Sequence, residues 1–211
     1  MADNQVAAPI PKQPTPVKFF VNDDMGYKVP VAGTNAPEGP YDDFRFGFTK
    51  TVAGFGEDGG SLSLGLGSWA HFPLNDMSKA KERWWGEITY KNPKWLDFFA
   101  SARVYGGICK GVNDSIAGMI APAASVGIKP KIIGPFGIEA SYFGVFHEKY
   151  YKGPIDSAQF HIGTLAPYLE FDNNLQLKFL MQIWHIRMSK EGAHIDPTTH
   201  MQFGAGLTYI F

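Results

Sequence analysis

Eight charged side chains recur at alternate positions opposite small or apolar neighbours: Arg45, Glu87, Asp97, Arg103, Lys129, Glu139, Glu170 and Lys178. Arg45 opposes Phe44 and Phe46; Asp97 and Arg103 oppose Leu96, Phe98, Ala100, Ala102 and Val104; Lys178 opposes Leu177 and Phe179. A period of two marks a strand with one apolar and one polar face. Four acids and four bases on one set of faces have two uses. They can pair and fill an enclosed space, because an isolated buried charge is too costly to keep. Alternatively, they stay hydrated and line a passage for a small hydrophilic solute. Trp69, Phe99, Tyr105, Phe143 and Trp184 are assigned to the same interior, together with His71 and His161. Their rings could stack on a sugar or nucleobase, or act as spacers. Arg45, Asp97, Arg103, Glu139 and Lys178 are therefore the candidates for tuning that interior, with Trp69, Phe99 and Trp184 as stacking surfaces.

Hydrolytic chemistry has scattered raw material. Asp114, His147, Glu148, His194 and Asp196 fall in or beside polar connections, where acids and a His could converge to activate water. His185 and Ser189 share a strand face but stand ~13 Å apart at strand rise, leaving His200 as a residue that could face Ser189 across the last hairpin. His194, Asp196 and His200 lack a recognised metal-ligand spacing. The single Cys109 gives no disulfide framework or thiolate cluster. Gly54–Gly60 is too acidic for a phosphate cradle and reads as a turn. No catalytic constellation, metal or cofactor is expected.

The elements that must position these residues are strands. Alternation gives ten, at 17–29, 43–52, 61–72, 83–91, 95–106, 118–130, 135–147, 158–171, 174–187 and 200–211. Compact turns at Gly54–Gly60, Asn92–Lys94, Lys131–Gly134 and Asp172–Asn174 alternate with longer connections at 30–42, 73–82, 107–117, 148–157 and 188–199. Short turns at one end and long loops at the other fit a transmembrane antiparallel up-and-down β-barrel of about ten strands, with eight or twelve as alternatives. The last strand supports this. Met201, Phe203, Ala205, Leu207, Tyr209 and Phe211 share one face, and Gln202, Gly204, Gly206 and Thr208 the other, with Ile210 the exception. A soluble sandwich alternates in the same way and is the fallback. Pro122 and Pro167 fall inside strands and are read as strand-end or bulge positions. Trp84, Trp85, Trp95, Tyr142, Phe146, Tyr150, Tyr151, Phe171, Tyr209 and Phe211 lie near strand ends, where interfacial girdles form.

The 211-residue chain has a formal net charge of −1, which leaves no basic footprint for nucleic acid. No stretch approaches the ~20 apolar residues of a membrane helix. Residues 1–16 form a proline-rich arm and 17–211 the barrel domain. Nothing after Met1 resembles a signal peptide, so a mature sequence with an added initiator Met is expected.

Lys18–Val29, an aromatic strand with Asn22 and Asp23 that ends near Tyr27, resembles the first strand of Tsx-type nucleoside-specific channel proteins. Asp43–Pro73, a Phe-rich strand, a Gly turn and a second alternating strand, has the same family character, as does Gly118–His147. The resemblance is one of pattern over about two-thirds of the chain. It implies a narrow passive channel in a bacterial outer membrane, in contact with its lipid and lipopolysaccharide. Nucleosides are the implied solute, no cofactor is needed, and a monomer is favoured. Family members have twelve strands against ten here, and no local motif fixes nucleoside-contacting positions. Ala121–Gly127 also resembles one strand of the lipid A palmitoyltransferase barrel. A non-conducting barrel with a charge-plugged lumen and a rim or wall hydrolase are the competing readings.

Overall fold

The computed structural model describes residues 16–34, 38–55, 59–77, 80–110, 116–151, 156–171 and 174–211. Most of the proline-rich arm, Asp114 and parts of the Gly54–Gly60 and Asp172–Asn174 turns lie outside the described residues. Eleven strands are present among those described: β1 (Val17–Pro30), β2 (Gly39–Phe55), β3 (Gly60–Pro73), β4 (Lys81–Asn92), β5 (Phe98–Lys110), β6 (Ile116–Ile128), β7 (Lys131–Ile133), β8 (Phe136–Tyr151), β9 (Ser157–Phe171), β10 (Leu175–Lys190) and β11 (Ala193–Ile210). Each of the ten long strands pairs antiparallel with its sequence neighbour, β7 being a three-residue element within the β6–β8 turn. The ring closes through β1–β11, in register from Phe20↔Ile210 to Pro30↔His200. It is a closed ten-stranded barrel.

Closure follows from the alternation. Phe44, Phe46 and Phe48 on β2, Leu64 and Leu66 on β3, Phe179, Met181 and Ile183 on β10, and Phe203, Leu207 and Tyr209 on β11 are all exposed on the outer wall. Such a continuous apolar belt suits contact with lipid. Asp23 and Asp42 interrupt it. With no edge left unpaired, backbone groups are satisfied within the wall.

The two prolines mark irregularities. Pro122 sits between Ile120 and Ala123, where the β6–β8 register shifts, and β10 makes no ladder contact opposite Pro167. A missing N–H is accommodated in each case.

Connection lengths differ from expectation. The strands run on, to as many as 18 residues in β11, where ~9–11 suffice to span a bilayer. The supposed long loops shrink to 31–38, 74–80, 111–115, 152–156 and 191–192. Much of the polar sequence at that end is hairpin, because polar strands can pair outside lipid as well as within it.

Two close approaches shape the inner wall. Gly26 and Gly204 face each other across the β1–β11 seam, and the buried Tyr41 ring lies against both. On β3, a Cβ at Gly67 would come within 2.5 Å of the Trp85 ring. Inward glycines let large rings lie flat against the wall of a narrow barrel. A Cβ at Gly26 would stand 2.8 Å from both Gly204 Cα and Tyr41 Oη. Gly26→Val is expected to destabilise the folded barrel by about 1–3 kcal/mol, read as a lower urea midpoint in detergent.

Candidate functional site

The inward faces converge on a mid-barrel cavity of about 210 Å³. Alternation supplies its lining, since every second residue of each strand points inward. Arg45 on β2, Trp69 on β3, Phe99 and Arg103 on β5, Glu139 on β8, and Lys178 and Trp184 on β10 all reach it. Asp97 does not. The fifth strand begins at Phe98, and Leu96 and Asp97 take left-handed φ values of 55° and 51° in the preceding turn. Asp97 is therefore exposed at the barrel end that holds the termini.

The charges are paired. Arg45 lies 3.5 Å from Asp24 and 3.6 Å from Asp43. His71 Nδ1 contacts Asp43 at 2.5 Å, while Lys28 Nζ donates to His71 Nε2 at 2.7 Å. With Nε2 accepting, the His71 proton sits on Nδ1 and points at Asp43. Arg103 meets Glu87 at 2.5 Å and donates to the Tyr105 hydroxyl at 3.1 Å. Lys178 lies 3.3 Å and Lys129 4.0 Å from Glu139, and Lys131 lies 3.1 Å from Glu170.

The longest reach belongs to Arg83. From β4 it bonds Glu148 on β8 at 2.6 Å. Its guanidinium is 4.8 Å from the Trp69 ring centroid and 5.5 Å from that of Phe160. Trp69 on β3 and Phe160 on β9 lie five strands apart in either direction round the ring. Arg83 thus ties opposite walls together through the lumen. Glu148 is 1% exposed and also accepts from Tyr150 at 2.8 Å. Cation–π contact with two rings and a charge-assisted bond compensate for burying the ion.

Several further expectations require correction. His161 faces outward, where its ring stacks on Tyr142. Trp85 and Tyr150 are inside the barrel rather than in a girdle; Trp85 lines the cavity and Tyr150 binds Glu148. Glu148 is no rim acid, because the β8 register shift between Val145 and Glu148 turns it inward. The residues considered for water activation are not gathered: His147, His194 and Asp196 are exposed and Glu148 is buried. His200 is buried in the lumen against Trp184, whereas Ser189 bonds Ser157 at 2.8 Å, so those two do not meet. For the same reason His194, Asp196 and His200 do not form one cluster.

Asn22, Asp24, Arg83, Trp85 and Tyr105 are also part of the cavity wall. Arg83 and Trp85 share parity with Glu87, a signal present in the sequence. Asn22 and Asp24 share parity with each other and oppose Val21 and Met25.

The chain matches no protein-family model and no curated protein. Among solved structures it is similar to the beta domain of the Bordetella autotransporter Brka (10% identity, 92% of this chain and 98% of that one, TM-score 0.46). It is also similar to the outer membrane protease OmpT from Escherichia coli (7%, 94% and 98%, TM-score 0.38). A third similarity is to a TodX mutant, a monoaromatic hydrocarbon channel (7%, 93% and 90%, TM-score 0.32). Identities and TM-scores of this size assign none of those activities to this chain.

Removing one partner of a buried ion pair leaves the other uncompensated. Glu148→Ala is expected to cost about 3–5 kcal/mol, measured by urea unfolding in detergent. Arg83→Met combined with Glu148→Leu should recover most of that loss.

Proposed function

We propose that this protein is a bacterial outer-membrane barrel that admits a small polar solute to its lumen and passes it without a cofactor. The observation that carries the reading is the composition of the cavity wall. Four cations (Arg45, Arg83, Arg103 and Lys178) and two acids (Asp24 and Glu139) share it with Trp69, Trp85, Trp184, Phe99 and Phe143. Trp69 Nε1, Trp85 Nε1, Asn22 Nδ2 and Asp24 Oδ1 have no hydrogen-bond partner among the described residues. These atoms are enclosed by their neighbours, so the wall holds polar groups beyond those its ion pairs satisfy. The volume is below the ~300–1,000 Å³ of drug-sized pockets, so the occupant must be small. A planar ring bearing hydroxyls or a carbonyl, as in a nucleoside, would match aromatic faces and guanidinium donors together.

In this reading the end holding the termini faces the periplasm and the long hairpins face outward. The barrel works as a monomer in lipid and lipopolysaccharide. Arg83 and Glu148 form the constriction, because together they join opposite walls. That same bridge favours one rival, a non-conducting barrel.

Single-channel recording in a planar bilayer separates the two readings. The wild type should give a small discrete conductance that uridine reduces, and Arg83→Ala should raise the conductance several-fold. Barrels that insert, migrate as folded species and pass no current in either form would replace the channel reading with the plug.

A further inference from the structure

We propose that the outer wall of β8–β11 carries a binding site for the phosphate of a lipid headgroup, centred on His161, His185 and Arg187. Cross-strand pairing sets Gly144, His161, His185 and Thr199 in one outward row, neighbour beside neighbour. The two imidazole centroids are 6.4 Å apart. His185 Nδ1 lies 3.0 Å from Thr199 Oγ1, and Arg187 Nε donates to His185 Nε2 at 3.3 Å. Tyr142 stacks on His161 with centroids 6.2 Å apart, and its hydroxyl is 2.5 Å from His161 Nδ1. This is a connected polar patch above the apolar outward residues of β10.

Its height on the barrel suggests the ligand. Below His185, the outward residues of β10 are Leu175, Leu177, Phe179, Met181 and Ile183. Ten residues on a strand tilted by ~40° rise about 25 Å, the height of the apolar band. The row therefore stands where acyl chains give way to headgroups, at the end away from the termini. Space is available there. Gly163 lies two residues below His161 and no atom approaches the position a Cβ would take there, whereas the space over Gly144, across from His161, is filled by Tyr142 and Phe146.

Charge selects an anion. The outward faces of β8, β9 and β10 include Lys149 and Arg187 and no acid, β11 adds the exposed Asp196 beyond Thr199, and Asp23, Asp42 and Glu82 face outward from β1, β2 and β4. The remaining N–H groups of the Arg187 guanidinium make charge-assisted bonds to phosphate oxygens, His185 holds that guanidinium in place by accepting at Nε2, and His161, with the Tyr142 hydroxyl donating to Nδ1, presents its Nε2–H. The arrangement is built to hold rather than to cleave. With Arg187 donating to Nε2, the His185 proton is on Nδ1, and no lone pair is left to take a proton from Thr199.

The test is lipid retention by the intact barrel, purified in detergent with either phosphatidic acid or diacylglycerol of the same chains and weighed by native mass spectrometry. The wild type should retain phosphatidic acid selectively. His161→Gln, His185→Gln and Arg187→Gln together should weaken retention by about tenfold or more, the loss of about 1.4 kcal/mol. Unchanged heat-modifiable migration would show that the triple variant still folds, and Arg187→Lys should keep most of the binding. Equal retention of diacylglycerol, or equal retention of phosphatidic acid by the triple variant, would overturn the site. Equally tight binding of glycerol phosphate would make it a free-phosphate site instead. Fatty-acid release that disappears in Thr199→Val would make it a hydrolase.

Discussion

A ten-stranded ring encloses too little space to hydrate each inward charge separately, and that shortage governs the rest of the molecule. Every acid that reaches the lumen must find a cation within bonding distance. Asp24 and Asp43 share Arg45, Glu87 takes Arg103, Glu139 takes Lys178, and Glu148 takes Arg83. The Arg83–Glu148 pair differs from the others in what it connects. The other pairs lie within one strand or join strands no more than two apart, whereas Arg83 reaches from β4 to β8 and rests between rings of β3 and β9. The lumen is therefore crossed beside the cavity by a charged tie. Glycines at the wall are the geometric counterpart, since rings as large as Tyr41 and Trp85 fit inside only where a neighbouring side chain is absent.

Barrel and cavity were legible in the sequence for one reason. Period-two alternation survives wherever a strand has lipid on one side and the lumen on the other. Arg45, Arg103, Glu139 and Lys178 each stood opposite hydrophobes, and the structure turns all four toward the cavity. The failures have equally local causes. Asp97 kept the right parity but lay one residue ahead of the strand, in left-handed backbone. Glu148 was misplaced by the register shift that follows Val145, because one inserted residue reverses every side chain beyond it. Trp84 and Trp85 are adjacent, so hydrophobicity alone could not say which faced lipid. His161 was grouped with His71 in the interior, yet its ring faces outward against Tyr142. Strand ends were the least legible feature, since polar hairpins outside lipid show no apolar face to mark their limits.

The inner and outer surfaces then divide the chemistry. Inside, ion pairs and aromatic faces surround a cavity of about 210 Å³. Outside, an apolar belt ends at a row of hydrogen-bonded imidazoles beside an arginine. Both arise from one alternating pattern, because consecutive residues of a strand serve opposite solvents. His185 and Trp184 are neighbours in the chain, one facing outward beside Thr199 and the other facing the cavity.

The central claim is that the cavity receives a small ring-bearing solute, and intrinsic tryptophan fluorescence tests it most directly. Of the five tryptophans, Trp69, Trp85 and Trp184 line the cavity, while Trp84 and Trp95 are exposed. Titration of the refolded barrel with uridine should give a saturable change that Trp184→Phe diminishes. A change that grows linearly without saturation, and is the same in that variant, would contradict the account.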